Sequence, residues 1–470
     1  MDRRRVITTA AVVATVGAAA ALTLPSFADT QSHSPGPAAT SAVSPKLLDA
    51  MQRDLKLTEG QARGRLAREA SAMKAAKDLR KQMRDSWAGA WMGADGQMTV
   101  ATTDPADAEK ITRAGAKAKL VRRNSDQLKA AKSSLDARAR SAGSGITGWY
   151  VDPASNQVVV MTSSTDPSRV ASFVESAGVP TDAVRVQSVK GRPRLLADPS
   201  PGPVDGQVPP GHQTGRPGVR TGQQQGDQQQ GGQQQGGQGD GQDAGQSAPP
   251  AGGDQQQAGN GQAVRGGDAY VINGDARCTV GFAVQGGFLS AGHCGQPGDT
   301  TEALNNGTPT AEGVFAASRF PGDDFSFVRT NADFTPTGEV QSFDGQAQPV
   351  ASDQVLPVAG STEAPVGATV CKFGSTTGAT CGTIQQLDAT VNFADPSGSG
   401  GLVTVSGLIG TDVCAEAGDS GGPLLAAGNQ AQGTVSGGSG DCANGGSTFF
   451  QPVNEALQAL NLTLLTTAGQ

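Results

Sequence analysis

One tract limits everything this chain can become. Residues 198–263 are dominated by Gly, Gln and Pro, as in Gln223-Gln-Gln-Gly-Asp-Gln-Gln-Gln230, and show no apolar periodicity. A segment with no recurring apolar face cannot bury enough surface to offset its ordering entropy. The 470-residue chain is therefore expected to fold as two pieces on a tether. A Gln-rich run can also mediate association, but the interspersed Gly and Pro favour a plain linker. Its mean span is on the order of 45 Å, which lets the flanking pieces dock in cis. Their charges would draw them together. Residues 41–197 carry 26 Lys/Arg against 16 Asp/Glu, whereas residues 264–470 carry five against 19, leaving the two at +10 and −14. Such fields attract over about a Debye length, roughly 10 Å. The basic residues alternate with acids, and no basic cluster with aromatics occurs, so no nucleic-acid partner is expected.

Residues 1–28 read as an export signal. Arg3, Arg4 and Arg5 precede an apolar stretch from Val6 to Leu24, and Ser26 and Ala28 supply small residues for a cleavage site. The stretch is short and rich in Ala and Thr, and the cysteine pattern downstream favours export over a membrane anchor. The arginines fit either the general or the twin-arginine export route. All six cysteines (Cys278, Cys294, Cys371, Cys381, Cys414, Cys442) lie in the C-terminal piece. An even count in one segment implies three disulfides and a secreted, extracellular protein. The spacing offers no Cys-x₂₋₄-Cys pair and only His293 nearby, so neither metal nor cofactor is expected.

Residues 41–197 read as α+β. Leu47, Leu48, Met51, Leu55 and Leu57 recur at helical steps, and Thr58-Glu-Gly-Gln61 offers a capping box for a second helix. Strands follow around the Asp95-Gly96 turn, at Ala90-Trp-Met92 and Met98-Thr-Val-Ala-Thr102. The pattern then predicts a helical stretch over 106–140, strands at Trp149-Tyr-Val151 and Val158-Val-Val-Met161, a helix over 167–178 and a strand at Val184-Arg-Val186. Two similar α+β units result.

Residues 264–470 read as all-β. Short runs rich in Val, Thr and Phe recur between Gly, Asp and Asn turns: 279–284, 325–328, 369–371, 402–405 and 432–435. About 200 residues at this spacing suit a barrel pair or a sandwich. A last amphipathic helix is expected over Pro452–Leu460.

The chemistry-bearing residues are few. The chain holds three histidines; His33 borders the signal and His212 lies in the linker, so imidazole chemistry in the C-terminal piece must use His293. Ser420 sits in Ala417-Gly-Asp-Ser-Gly-Gly-Pro423. Glycines on both sides permit a sharp turn that exposes the hydroxyl and frees backbone N–H groups for an oxyanion. A third member must be a carboxylate that orients the imidazole. Asp323 and Asp324, just before the strand Phe325-Ser-Phe-Val-Arg329, are the candidates.

In order, Ala291-Gly-His-Cys294, Asp324-Phe-Ser-Phe-Val-Arg329, Gly374-Ser-Thr-Thr-Gly378, Cys414-Ala-Glu-Ala-Gly-Asp-Ser-Gly-Gly-Pro-Leu424, Ser436-Gly-Gly-Ser-Gly440 and Thr448-Phe-Phe-Gln-Pro452 span the C-terminal piece. This set resembles the bacterial branch of the chymotrypsin family, the streptogrisin and α-lytic proteases. The resemblance implies a double antiparallel β-barrel. It selects Asp324 over Asp323, giving a triad His293, Asp324 and Ser420, with the N–H groups of Gly418 and Ser420 as the oxyanion hole. It implies that Ser436 supports Asp324, and that the cysteines pair as Cys278–Cys294, Cys371–Cys381 and Cys414–Cys442. Runs such as Met51-Gln-Arg-Asp-Leu55, Leu57-Thr-Glu-Gly-Gln-Ala-Arg63 and Ala88-Gly-Ala-Trp91 resemble the α-lytic type of pro-region. In that family the pro-region is the folding assistant and then the inhibitor of its own protease. The implied layout is signal 1–28, pro-region 41–197, linker 198–263 and protease 264–470. The alternative is an inactive homologue serving as a secreted binding module, but all three triad positions are filled.

The implied function is a secreted serine endopeptidase, monomeric when mature, acting on protein or peptide substrates. Substrate-binding positions are Ala415, Glu416, Ala417, Val435, Ser436, Gly437 and Gly438. Val435 stands where glutamate-specific relatives carry histidine, and no aspartate falls where a trypsin-like pocket needs one. A large apolar P1 residue is therefore expected. Three positions depart from the family pattern: Ser290 for threonine, Ser326 for a small apolar residue, and Lys372 for an arginine that pairs with Asp419. Lysine keeps the charge but loses bidentate geometry. The long linker is a further departure, and it leaves cuts near Leu196 and near Val264 both open.

Overall fold

The computed structural model describes residues 43–196, 261–305, 308–343, 355–395 and 400–467. The export signal, His33, His212 and the linker up to residue 260 lie outside the described residues. In the N-terminal part, Lys56 takes a left-handed conformation and ends helix Pro45–Leu55. Thr58 then caps helix Glu59–Met83: its hydroxyl accepts from the Gln61 amide while the Gln61 side chain accepts from the Thr58 amide. Two units of like order follow. The first is a hairpin of Trp87–Met92 and Met98–Thr102, helix Ala108–Arg113, and strand Lys117–Leu120 parallel to 98–102. The second is a hairpin of Ile146–Asp152 and Gln157–Thr162, helix Pro167–Ser176, and parallel strand Val184–Ser188.

One expectation is corrected here. The helix predicted over 106–140 is two helices, Ala108–Arg113 and Ser125–Asp136, with the strand Lys117–Leu120 between them. Gly115 adopts φ +80° and stops the first helix. The alternating Lys-Ala-Lys-Leu run then takes the sheet edge, where lysines discourage further pairing.

The C-terminal part is all-β with a final helix, Val453–Leu460. Seven strands between 269 and 330 form one antiparallel sheet around Tyr270, Phe288, Phe315 and Val328. The second barrel closes on itself. Thr369–Gly374 pairs with Pro423–Ala426 on one side and with Gly378–Ala394 on the other, and the order runs through Gln430–Asp441, Gly445–Pro452 and Leu402–Thr411. The continuous strand predicted over 279–284 is instead split into Ala276–Thr279 and Ala283–Val284. At Gly281 a Cβ would stand 2.5 Å from the Leu289 carbonyl oxygen and 2.7 Å from that of Gly421. The chain leaves the sheet to slip between a strand and the serine loop, and only glycine fits.

The distal half of Gly378–Ala394 leaves the barrel and pairs with Ile146–Asp152, Leu387 opposite Val151 and Thr390 opposite Trp149. The N-terminal part thus continues the sheet of the C-terminal part. Gly148 allows the approach, since a Cβ there would meet the Thr390 carbonyl oxygen at 2.4 Å. Buried Lys132 bridges Asp136 at 3.0 Å and Asp388 at 3.1 Å. Asp136 also accepts from Trp149 Nε1 and from Thr390 Oγ1, at 2.7 and 2.6 Å. Farther along, Asp54 accepts from the Cys381 amide and Glu69 from the Thr369 amide and hydroxyl.

Candidate active site

The three chemistry-bearing residues come from both barrels. His293 lies in the short turn Gly292–Cys294 after strand Gly287–Ser290. Asp324 directly precedes strand Phe325–Thr330, which pairs with 287–290. Ser420 comes from the loop before Pro423–Ala426 in the second barrel. They meet in one line. His293 Nε2 is 2.8 Å from Ser420 Oγ, and His293 Nδ1 is 2.8 and 3.0 Å from the two Asp324 oxygens. The histidine amide also donates to Asp324 Oδ1 at 2.9 Å. The Ser436 hydroxyl donates to Asp324 Oδ2 at 2.5 Å. Gln451 Oε1 receives the Asp324 amide at 2.8 Å. Asp324 and Ser420 are fully buried. Such a carboxylate, taken out of water and given three donors, holds its imidazole in one orientation. Asp323, the other candidate, turns outward to Arg319 at 3.6 Å.

The segment around the serine is fastened from several sides. Fully buried Lys372 places Nζ 2.9 Å from Asp419 Oδ2, so the lysine does take the partner expected of an arginine. Thr377 Oγ1, which receives a further short hydrogen bond from Lys372, donates to the same oxygen at 2.5 Å. The Glu416 amide donates to Oδ2 at 3.0 Å, and the amides of Thr376 and Thr377 donate to Oδ1 at 2.9 and 3.1 Å. Burial alone would raise the Asp419 carboxyl, but Lys372 and these donors outweigh it and hold it below the usual carboxylate range. Burial lowers the Lys372 ammonium, opposed by Asp419. The other two departures also have partners: Ser326 Oγ donates to the Ala291 carbonyl, and Ser290 Oγ accepts from Tyr270 and donates to the Thr279 carbonyl.

The cleft beside Ser420 holds the end of the N-terminal part. Arg194–Leu195 runs antiparallel to Gln430–Asp441, Leu195 opposite Gly437 and Arg194 opposite Gly438. It also pairs with Ala394 on its other side. The Gly418 amide donates to the Leu196 carbonyl at 2.8 Å. Leu196 is buried, in the same apolar cluster as Val413, Ala415 and Val435. A Cβ on Gly437 would meet the Arg194 carbonyl oxygen at 2.4 Å, so the glycine admits the added strand. Of the remaining positions expected to bind substrate, Ala417 presents its carbonyl to Thr376 Oγ1 at 2.8 Å and Glu416 accepts from the Cys442 amide. The bonded cysteines are Cys278–Cys294, Cys371–Cys381 and Cys414–Cys442, the pairs that the resemblance implies. Sequence reasoning gave no role to Gln451, Thr376 or Thr377, although all three lie in motifs it singled out. It also gave no position to the tail 194–196, whose strand pairing with glycines leaves no periodic signal.

Three family descriptions match successive stretches: "Alpha-lytic protease pro N-terminal" over 60–121, "Alpha-lytic protease prodomain" over 123–181 and "Trypsin" over 252–460. Streptogrisin-C of Streptomyces griseus is 39% identical over 475 residues, covering 99% of this chain and 85% of that protein. Streptogrisin-D of the same organism is 34% identical over 398 residues, covering 83% and 78%. Among solved structures, the crystal structure of Cellulomonas bogoriensis chymotrypsin is 52% identical, covering 44% of this chain and all of that one, with a TM-score of 0.37.

Proposed function

Since the chain belongs to the streptogrisin family of serine proteases and carries the prodomain of the α-lytic type, we propose that Ser420, His293 and Asp324 perform its peptide hydrolysis, with large apolar P1 residues preferred. The observation that carries this reading is the unbroken relay from Asp324 through His293 to Ser420, ending beside a carbonyl that the Gly418 amide already holds. Ser420 Oγ attacks the scissile carbonyl and His293 Nε2 takes its proton. The tetrahedral oxygen draws the amides of Gly418 and Ser420, which are stronger partners for an oxyanion than for a neutral carbonyl. His293 then protonates the leaving amine, and water repeats the sequence on the acyl-enzyme. Asp324, held by Ser436 and by the His293 backbone, fixes the tautomer and stabilises the imidazolium.

Leu196 supports the P1 preference, since it is an apolar residue of this chain whose side chain is buried while its carbonyl is held by the Gly418 amide. It also favours the bond after Leu196 as the first cut, over one near Val264. The cut leaves the prodomain as a product-like occupant. Export follows from the disulfides together with residues 1–28, and the mature enzyme acts as a monomer. The test is turnover of a peptide library by the purified protein, with and without a serine-directed acylating inhibitor. Ser420→Ala should lower kcat about 10⁶-fold; near-normal turnover in that variant would end the assignment. Cleavage mainly after charged residues would end the P1 preference alone.

A further inference from the structure

The amide that receives the Leu196 carbonyl belongs to the peptide unit Ala417–Gly418. That unit is planar and trans, so its N–H and its C=O point in opposite directions. Whatever holds the Ala417 carbonyl therefore aims the Gly418 amide. The partner of that carbonyl is Thr376 Oγ1, which donates at 2.8 Å. The same oxygen accepts from Arg277 Nη2 at 2.8 Å, so its single proton is committed to the carbonyl. The next peptide is fixed as well, since Thr279 Oγ1 donates to the Gly418 carbonyl at 2.8 Å. Gly418 itself sits at φ +93°, a conformation open to glycine and one from which either flanking peptide can rotate. Rotation of Ala417–Gly418 would turn a carbonyl oxygen into the place of the developing oxyanion.

We propose that Thr376 is a positioning residue for the oxyanion hole: its hydroxyl, oriented by Arg277 of the first barrel, latches the Ala417 carbonyl so that the Gly418 amide faces the reacting oxygen. The latch crosses between barrels. Arg277 lies in strand Ala276–Thr279, next to the half-cystine Cys278, whereas Thr376 lies in the turn between Thr369–Gly374 and Gly378–Ala394. The hole is therefore complete only when both barrels are in place. The latch is distinct from the Lys372–Asp419 pair, which grips the Thr376 backbone amide and not its hydroxyl.

The inference rests on the proteolytic reading above. Thr376→Val keeps the side-chain shape and removes the donor. The enzyme is assayed per active site, with sites counted by an acylating titrant so that misfolded protein drops out. A surface hydrogen bond contributes modestly and a full oxyanion donor much more. We expect kcat per titrated site to fall about tenfold with KM within about twofold, and the affinity of a peptide aldehyde, whose hemiacetal oxygen enters the hole, to fall by the same factor. Thr376→Ser should restore all three. A kcat per site within twofold of wild type, or a loss confined to the number of titratable sites, overturns the latch. Wild-type protein that the titrant never acylates overturns the underlying proteolytic reading instead, so the two failures are distinguishable.

Discussion

Lys372→Met removes the cation that faces Asp419, and the outcome can be bounded from the site. Both groups are fully buried. Deleting one partner of a buried ion pair costs about 3–5 kcal/mol, because the other charge is left uncompensated. Here four donors survive: the amides of Thr376, Thr377 and Glu416 and the Thr377 hydroxyl. They keep the carboxylate solvated and set the loss near the lower bound, about 3 kcal/mol. For a unit of some 200 residues that corresponds to a fall in Tm of about 6–12 °C. If the strain is relieved locally, by displacement of the 416–420 loop, the same energy is a factor of about 10² in kcat/KM. Thermal unfolding and peptide hydrolysis read the two routes separately. The pH dependence has a sign as well. Asp419 is held below the usual range, so its contribution is fully present above the ordinary carboxylate pKa and is lost as pH falls through the lowered folded value. Lys372→Met should move that loss to higher pH. Lys372→Arg, which keeps the charge, should recover most of the activity. A Lys372→Met protein with wild-type Tm and wild-type kcat/KM would show that the pair contributes nothing.

Three further perturbations probe other parts. Glu312 is buried in the first barrel with Oε2 unpartnered, and burial, with a smaller push from Asp268, raises its carboxyl to about 8. The stability its protonated form supports is complete below the ordinary value near 4.5 and is lost as pH rises through about 8, so Glu312→Gln should gain several kcal/mol on wild type as pH rises across that window; urea unfolding at pH 5 and pH 8 with equal differences would refute this. Gly437→Val inserts atoms where the Arg194 carbonyl and the Phe393 ring lie within 2.6 Å of a Cβ, and should slow cleavage of extended peptides far more than that of a single-residue ester; equal slowing of both would count against strand addition. Lys132→Met strips the cation between Asp136 and Asp388 and should cut the yield of processed enzyme modestly, because the carboxylates left behind are partly exposed and Asp136 keeps Trp149 and Thr390 as donors; undiminished yield would mean that this bridge does not hold the two parts together.

The same contacts show why some of this molecule was legible in its sequence and some was not. Local devices read well. Thr58 and Gln61 announce a helix start because a capping box is closed within four residues. Val-rich alternation announces strands because the period is two. The glycines around Ser420 read as a place of close backbone approach, and the Gly418 amide does meet the Leu196 carbonyl. What failed was what neighbours decide. The strand at Lys117–Leu120 exists because Met98–Thr102 offers it an edge, and nothing in four residues competes with a helical surrounding. The choice of Asp324 over Asp323 depends on a chain direction set by the strand Phe325–Thr330, so residue type alone left it open. The docking of the two parts is the sharpest case. Net charges of opposite sign foretold attraction, but the contacts include prodomain carboxylates, Asp54 and Glu69, accepting from the backbone of a barrel that is itself acidic. Summed charge acts at long range and fixes encounter; register is fixed by individual donors and by glycines such as Gly148 and Gly437 that let one backbone lie against another. An unpaired strand edge on the distal half of 378–394 and a cleft that accepts an extended chain are two of the features of the second barrel that the prodomain covers. Both are features of backbone, which carry no residue code, and this is why the tail at Leu196 emerges only from the fold.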